Sequence, residues 1–189
     1  MARLHQTVLI VATLVGSWLA MQAVHELGHV LGAALTGSRV ERVVLHPLTI
    51  SRTDVVYGTS PLLVVWAGPV LGVVLPLAGW ALATAIRLPE RFLLRFFAGF
   101  CLVANGAYLG AGSLNGVGDC GDLLRHGAPI WSLWLFGLAT LPLGLWLWHG
   151  QGRHFGLAPA RGQVDRRAAY ASLTFCLAIL GIELLAGWQ

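Results

Sequence analysis

The sequence predicts an all-α polytopic membrane protein with about five transmembrane helices and a short β-hairpin-like segment between the first and second. Three observations lead there. Hydrophobic residues make up 57% of the 189 residues and charged residues only 11%, far below the roughly 25% charged of a soluble domain, and the mean hydropathy is +0.74. Five apolar segments, roughly 6–35, 61–86, 92–114, 129–148 and 169–187, each approach or exceed the length needed to cross hydrocarbon about 30 Å thick. Residues 37–60 interrupt that pattern with β-branched residues and charges.

No stretch is long and polar enough to form a separate soluble domain. The whole of 1–189 therefore reads as one integral membrane domain, with a helical core at 6–125 and two additional transmembrane helices at 129–187. The net charge of +4 is carried by arginine alone, since lysine is absent. These arginines are spread over the loops, the usual place for topology-setting charge, and no nucleic-acid site is implied. Three cysteines cannot form a disulfide framework without a remainder. Cys101 and Cys176 lie in apolar runs, and Cys120, beside an acidic pair, is the cysteine that could approach a metal.

The first span opens like a secretory signal, with Arg3 before an apolar run and small residues at Ala20 and Ala23. The apolar run continues well past that point, which argues against cleavage. Its second half contains His25-Glu26-Leu27-Gly28-His29. On a helix, histidines four residues apart project from one face one turn apart and can chelate one metal ion, while Glu26 can reach a metal-bound water. Random shuffling of this composition would give H-E-x-x-H in roughly one chain in two hundred. Each ionisable group mid-bilayer costs about 2.5 to 3.5 kcal/mol on insertion scales, and such groups usually mark function. The pattern points to zinc-dependent peptide hydrolysis within a membrane. The competing readings are a polar knot between packed helices, or metal ligands in a transporter.

After the first span, Arg39 to Arg52 alternates partially and reads as two short strands with a break near Pro47. An extended substrate could add to such an edge as a further strand; the alternative is an ordinary interfacial loop. His46 reads as a polar loop residue. Small residues spaced as GxxxG at Gly28/Gly32, Gly68/Gly72, Gly106/Gly110 and Gly112/Gly116 permit close helix approach. The third span runs into Leu114-Asn-Gly-Val-Gly-Asp-Cys-Gly-Asp-Leu-Leu, a glycine-rich break carrying Asp119 and Asp122. First and third spans run in the same direction, so their polar ends meet on one side. A carboxylate from the break can complete a His/His/Asp set and leave a fourth position for water, as catalytic zinc requires. An exposed acidic turn is the other reading. The fourth and fifth spans contain Glu183 as their sole acidic residue, which favours hydrolysis over transport.

These residues resemble the site-2 protease family of intramembrane zinc metalloproteases over the first 125 or so positions. His25 to His29 carries the family's first motif in full. Ala67-Gly68-Pro69 looks like its Ala-Gly-Pro element, without the asparagine often found a few residues later. Asp119-Cys-Gly-Asp-Leu-Leu resembles its Leu-Asp-Gly-Gly segment, without the prolines that usually precede it. The resemblance implies Zn²⁺ held by His25, His29 and Asp119, with Glu26 as catalytic base and Asp122 at a variable position. Asn115 stands four residues ahead of Asp119 where the family's asparagine stands eight ahead, so the resemblance gives little support to a substrate-binding role for Asn115 or Asn105. The implied partners are a membrane protein substrate with a transmembrane segment and the lipid bilayer, in a bacterial or archaeal cell membrane. A non-proteolytic zinc-binding membrane protein, transporter or inactive relative, is the alternative.

With the first span starting on side A, that side holds Arg3, Arg87, Arg91, Arg95, Arg153, Arg161, Arg166 and Arg167, and side B holds Arg39, Arg42, Arg52 and Arg125. This bias favours side A as cytoplasmic. Bacterial relatives open their site toward the cytoplasm, which implies the reverse, so orientation stays open.

Overall fold

The computed structural model describes residues 2–157, 160 and 162–186. In chain order the elements are α1 (Ala2–Thr36), β1 (Arg39–Val44), β2 (Arg52–Val56), α2 (Pro61–Ala85), α3 (Arg91–Gly112), α4 (Asp119–Arg125), α5 (Ile130–Trp148) and α6 (Arg166–Ala186), with a 3-10 turn at Gln151–Phe155. Five of these helices are long and apolar enough to cross a membrane. They fall on the five expected segments. Residue 187 and Arg161 lie outside the described residues.

Each boundary has a local cause. Pro61 begins α2, where a missing N–H costs nothing. At its other end Leu88 N–H returns to the Ala83 carbonyl at 2.9 Å, with Arg87 in the left-handed region at φ 57°, a closure that satisfies orphan carbonyls. The 35 residues of α1 would extend about 52 Å at 1.5 Å per residue, more than a bilayer core needs, so α1 tilts or protrudes. The expected hairpin is present, with β1 and β2 antiparallel and Val44 opposite Arg52. An irregularity lies between Val40 and Arg42.

One expectation needs correction. The glycine-rich break is only partly irregular, because Asp119–Arg125 forms α4. Glycines disfavour a helix there, but Cys120 and Leu123 are completely buried with Val65, Leu109 and Leu133, and acidic Asp119 and Asp122 occupy the first turn, where the helix dipole favours negative charge. Burial and charge placement outweigh propensity.

Small residues set the helix spacing. A Cβ on Gly28 would lie 2.3 Å from the Ala67 carbonyl oxygen, so α1 and α2 approach to backbone contact. Gly106 and Gly110 of α3 meet Gly137 of α5 in the same way, and Gly144 sits against the Gly99 carbonyl. Gly116 serves differently: it lies outside a helix at φ 61°. Helix α6 packs along α1, where the Thr13 hydroxyl donates to Ser172 at 3.2 Å. Large apolar side chains on the outside, among them Leu82, Leu138, Leu177 and Leu185, are exposed and suit contact with lipid.

Candidate metal centre

Helix α1 carries His25, Glu26 and His29, all buried, and α4 brings Asp119 to them. The Nε2 atoms of His25 and His29 lie 2.7 and 3.3 Å from one Asp119 oxygen, Oδ2. The donor atoms of all three residues lie within 4.8 Å of one another. The imidazoles are one helical turn apart, with ring centroids separated by 4.9 Å. Asp119 is held in place by its own backbone: its N–H donates to the Tyr108 hydroxyl at 2.9 Å, and the preceding Gly118 turns at φ 63°.

The remaining ring nitrogens determine what this triad can bind. His29 Nδ1 is 3.0 Å from the Val64 carbonyl oxygen, which can only accept, so Nδ1 carries the proton. His25 Nδ1 is 2.7 Å from Asn105 Oδ1. The Asn105 amide nitrogen donates to the Cys101 carbonyl at 2.9 Å, which fixes the amide with its oxygen toward His25. A neutral imidazole with its proton on Nδ1 has a bare Nε2 lone pair, and in both residues that atom is turned toward the Asp119 carboxylate. Three acceptors converging on one point repel each other unless a cation stands among them, and two imidazoles with a carboxylate are the donor chemistry of zinc. The residues fit the metal.

Asp122 is occupied elsewhere: it pairs with Arg125 and accepts from the Tyr57 hydroxyl at 3.3 Å. Of the two aspartates in the former break, Asp119 is therefore the one brought to the histidines. Cys120 Sγ donates to the Tyr108 carbonyl at 3.2 Å and is fully buried. His46 stays in the hairpin loop, where its Nδ1 accepts from the Leu48 N–H.

Further neighbours complete the site, and of these Thr53, Ser51 and Gln22 were not singled out by sequence. Thr53 of β2 donates to Glu26 Oε2 at 2.7 Å, and the Ser51 N–H donates to Gln22 at 3.2 Å, so the hairpin is tied to α1 beside the histidines. Gly68 forms the wall behind His29, since a Cβ there would lie 2.3 Å from Nε2. Asn105, considered for substrate contact, instead orients His25; Asn115 is exposed in the turn after α3. The Ala-Gly-Pro element was a visible signal for Gly68. For Thr53 no signal existed beyond its place in a predicted strand.

The Peptidase M50B-like family, which comprises the site-2 proteases, matches residues 3–108. The chain belongs to this family. No curated protein and no solved structure matches it. As a site-2 protease family member with five long apolar helices, it is an integral, multi-pass membrane protein. The matched stretch contains His25, Glu26, His29, Gly68 and Asn105 but stops short of Asp119. In this site-2 protease relative the carboxylate is thus brought to the histidines by the fold of a segment beyond the match.

Proposed function

We propose that this protein is a zinc metalloendopeptidase that cleaves membrane protein substrates within or beside their transmembrane segments. The observation that carries the reading is the convergence of two imidazole Nε2 atoms and one carboxylate oxygen next to a buried glutamate. His25, His29 and Asp119 would hold the metal. Zinc so held supplies Lewis acidity and a water acidified from a pKa of 15.7 toward about 7. Glu26 accepts the proton of the attacking water and returns it to the leaving amine. The Thr53 hydroxyl occupies Oε2 of that carboxylate, and we assign the proton to the other oxygen. Asn105 and the Val64 carbonyl keep the imidazoles in the tautomer that leaves Nε2 free. A transmembrane helix hides its peptide bonds in internal hydrogen bonds, so the substrate must unwind. The β1–β2 hairpin, tied to Glu26 through Thr53, offers an outer strand edge to the unwound segment.

The test is zinc content and cleavage of a model transmembrane substrate by purified protein. Glu26→Gln should keep about one zinc per chain and lose cleavage by a factor of about 10² to 10⁴. Asp119→Asn should lose both. Wild-type protein that binds zinc and leaves every such substrate intact would indicate an inactive relative, and full activity of Glu26→Gln would remove Glu26 from the mechanism.

A further inference from the structure

On side A, opposite the histidines, the end of α2, the start of α3 and the 3-10 turn enclose a cavity of about 300 Å³. Arg91, Arg95, Arg153 and His154 line it together with Trp80 and Phe92. Among the described residues, no carboxylate lines it, and none of the three guanidinium groups forms an ion pair with an acidic side chain. Concentrated charge of one sign with no protein counter-ion calls for an anion from outside. Arg95 adds a sharper demand. Its Nη2 donates to the carbonyls of Trp146 and His149 at 3.4 and 3.3 Å, and its guanidinium lies 5.9 Å from the Trp146 ring centroid, so the side chain is fixed in place. Its Nε, however, is buried with no hydrogen-bond partner among the described residues. A buried, unpaired donor on a cation is costly, and an anionic oxygen in the cavity would answer it.

The setting narrows the anion. These residues lie where α2 ends and α3 begins, at the level where helix ends meet lipid headgroups, and a tryptophan belongs at that depth. His154 stacks on Phe92 with centroids 4.6 Å apart. Its pKa is lowered by burial and by the charges of Arg153, Arg95 and Arg91, so the imidazole remains a neutral hydrogen-bonding wall. Planar guanidinium forks match phosphate oxygens in pairs.

We propose that this cavity binds a phosphate group, presented either by the phosphodiester of an anionic lipid or by a free phosphate anion. Basic pockets between transmembrane helices recognise lipid headgroups by this chemistry. The site is separate from the metal centre and does not depend on catalysis.

The experiment measures the thermal unfolding midpoint of full-length purified protein titrated with phosphatidylglycerol in phosphatidylcholine vesicles, and separately with inorganic phosphate. The test variant is Arg91→Gln/Arg153→Gln, since both arginines are exposed and their loss leaves packing intact. Removing two interfacial arginines should weaken the apparent affinity roughly thirtyfold. A shift with phosphatidylglycerol that inorganic phosphate does not compete away identifies a lipid headgroup. A shift with phosphate alone identifies the free anion. The control Arg39→Gln/Arg42→Gln removes equal charge from the hairpin and should leave binding unchanged. If neither probe shifts the wild type, or the two variants lose binding equally, the site is overturned.

Discussion

Asn105 is almost completely buried, and both ends of its amide are engaged, the oxygen by His25 Nδ1 and the nitrogen by the Cys101 carbonyl. Such an outer partner sets which ring nitrogen faces the metal, and its loss typically costs 10- to 100-fold in affinity. Asn105→Leu should therefore weaken zinc binding by about that factor while His25 and His29 remain; an unchanged zinc dissociation constant would remove Asn105 from the site. Tyr57, in the loop after β2, makes a pH prediction. Burial, followed by the charge and hydrogen bond of Asp122, pushes its phenol up to about 12 from the ordinary 10.0. The folded state thus favours the neutral phenol, and this contribution to stability is complete below pH 10 and disappears as pH rises toward 12. The tyrosinate difference spectrum between wild type and Tyr57→Phe should show a transition near 12; one near 10 would show that neither the burial of Tyr57 nor its Asp122 contact holds in solution. At this scale the sequence revealed the residues whose spacing is local. His25 and His29 were legible because four residues make one helical turn. Asn105 was not, because its role depends on an approach across 80 residues of chain.

The element scale adds the hairpin and the glycine contacts. Val44 pairs with Arg52, and Val44→Pro would remove a backbone donor and distort the ladder. Cleavage of an extended substrate should fall while zinc content stays near wild type. Equal loss of both would indicate that the hairpin is needed for folding rather than for presenting an edge. The spans were legible because hydropathy and length are one-dimensional properties, and the strands because β-branched residues bracket a proline break. Helix α4 was not legible: Gly116, Gly118 and Gly121 argue against a helix, and burial of Cys120 and Leu123 against Leu109 and Leu133, with the acidic first turn, compensates. The GxxxG spacings gave three true contacts, while Gly116 answers to a turn.

For the whole molecule, the α2 span places the β1–β2 loop and the α2–α3 loop on opposite sides of the membrane. The three native cysteines are buried, so a cysteine introduced at exposed Leu48 or exposed Arg87 gives a specific site for an impermeant maleimide. In sealed vesicles of one orientation, one position should react and the other remain protected. Reaction at both would contradict an odd number of spans between them, and the side that reacts fixes which face the metal centre opens to.

His25 and Asp119 are 94 positions apart, and that separation has a temporal meaning. At roughly 5 to 20 residues per second, a ribosome finishes the helix with both imidazoles about five to twenty seconds before it reaches the aspartate. During that interval the newborn polypeptide holds two of the three proposed metal ligands. The third proposed ligand arrives only when a later segment has folded back, so on the proposed reading the order of synthesis delays the chemistry until the scaffold is in place.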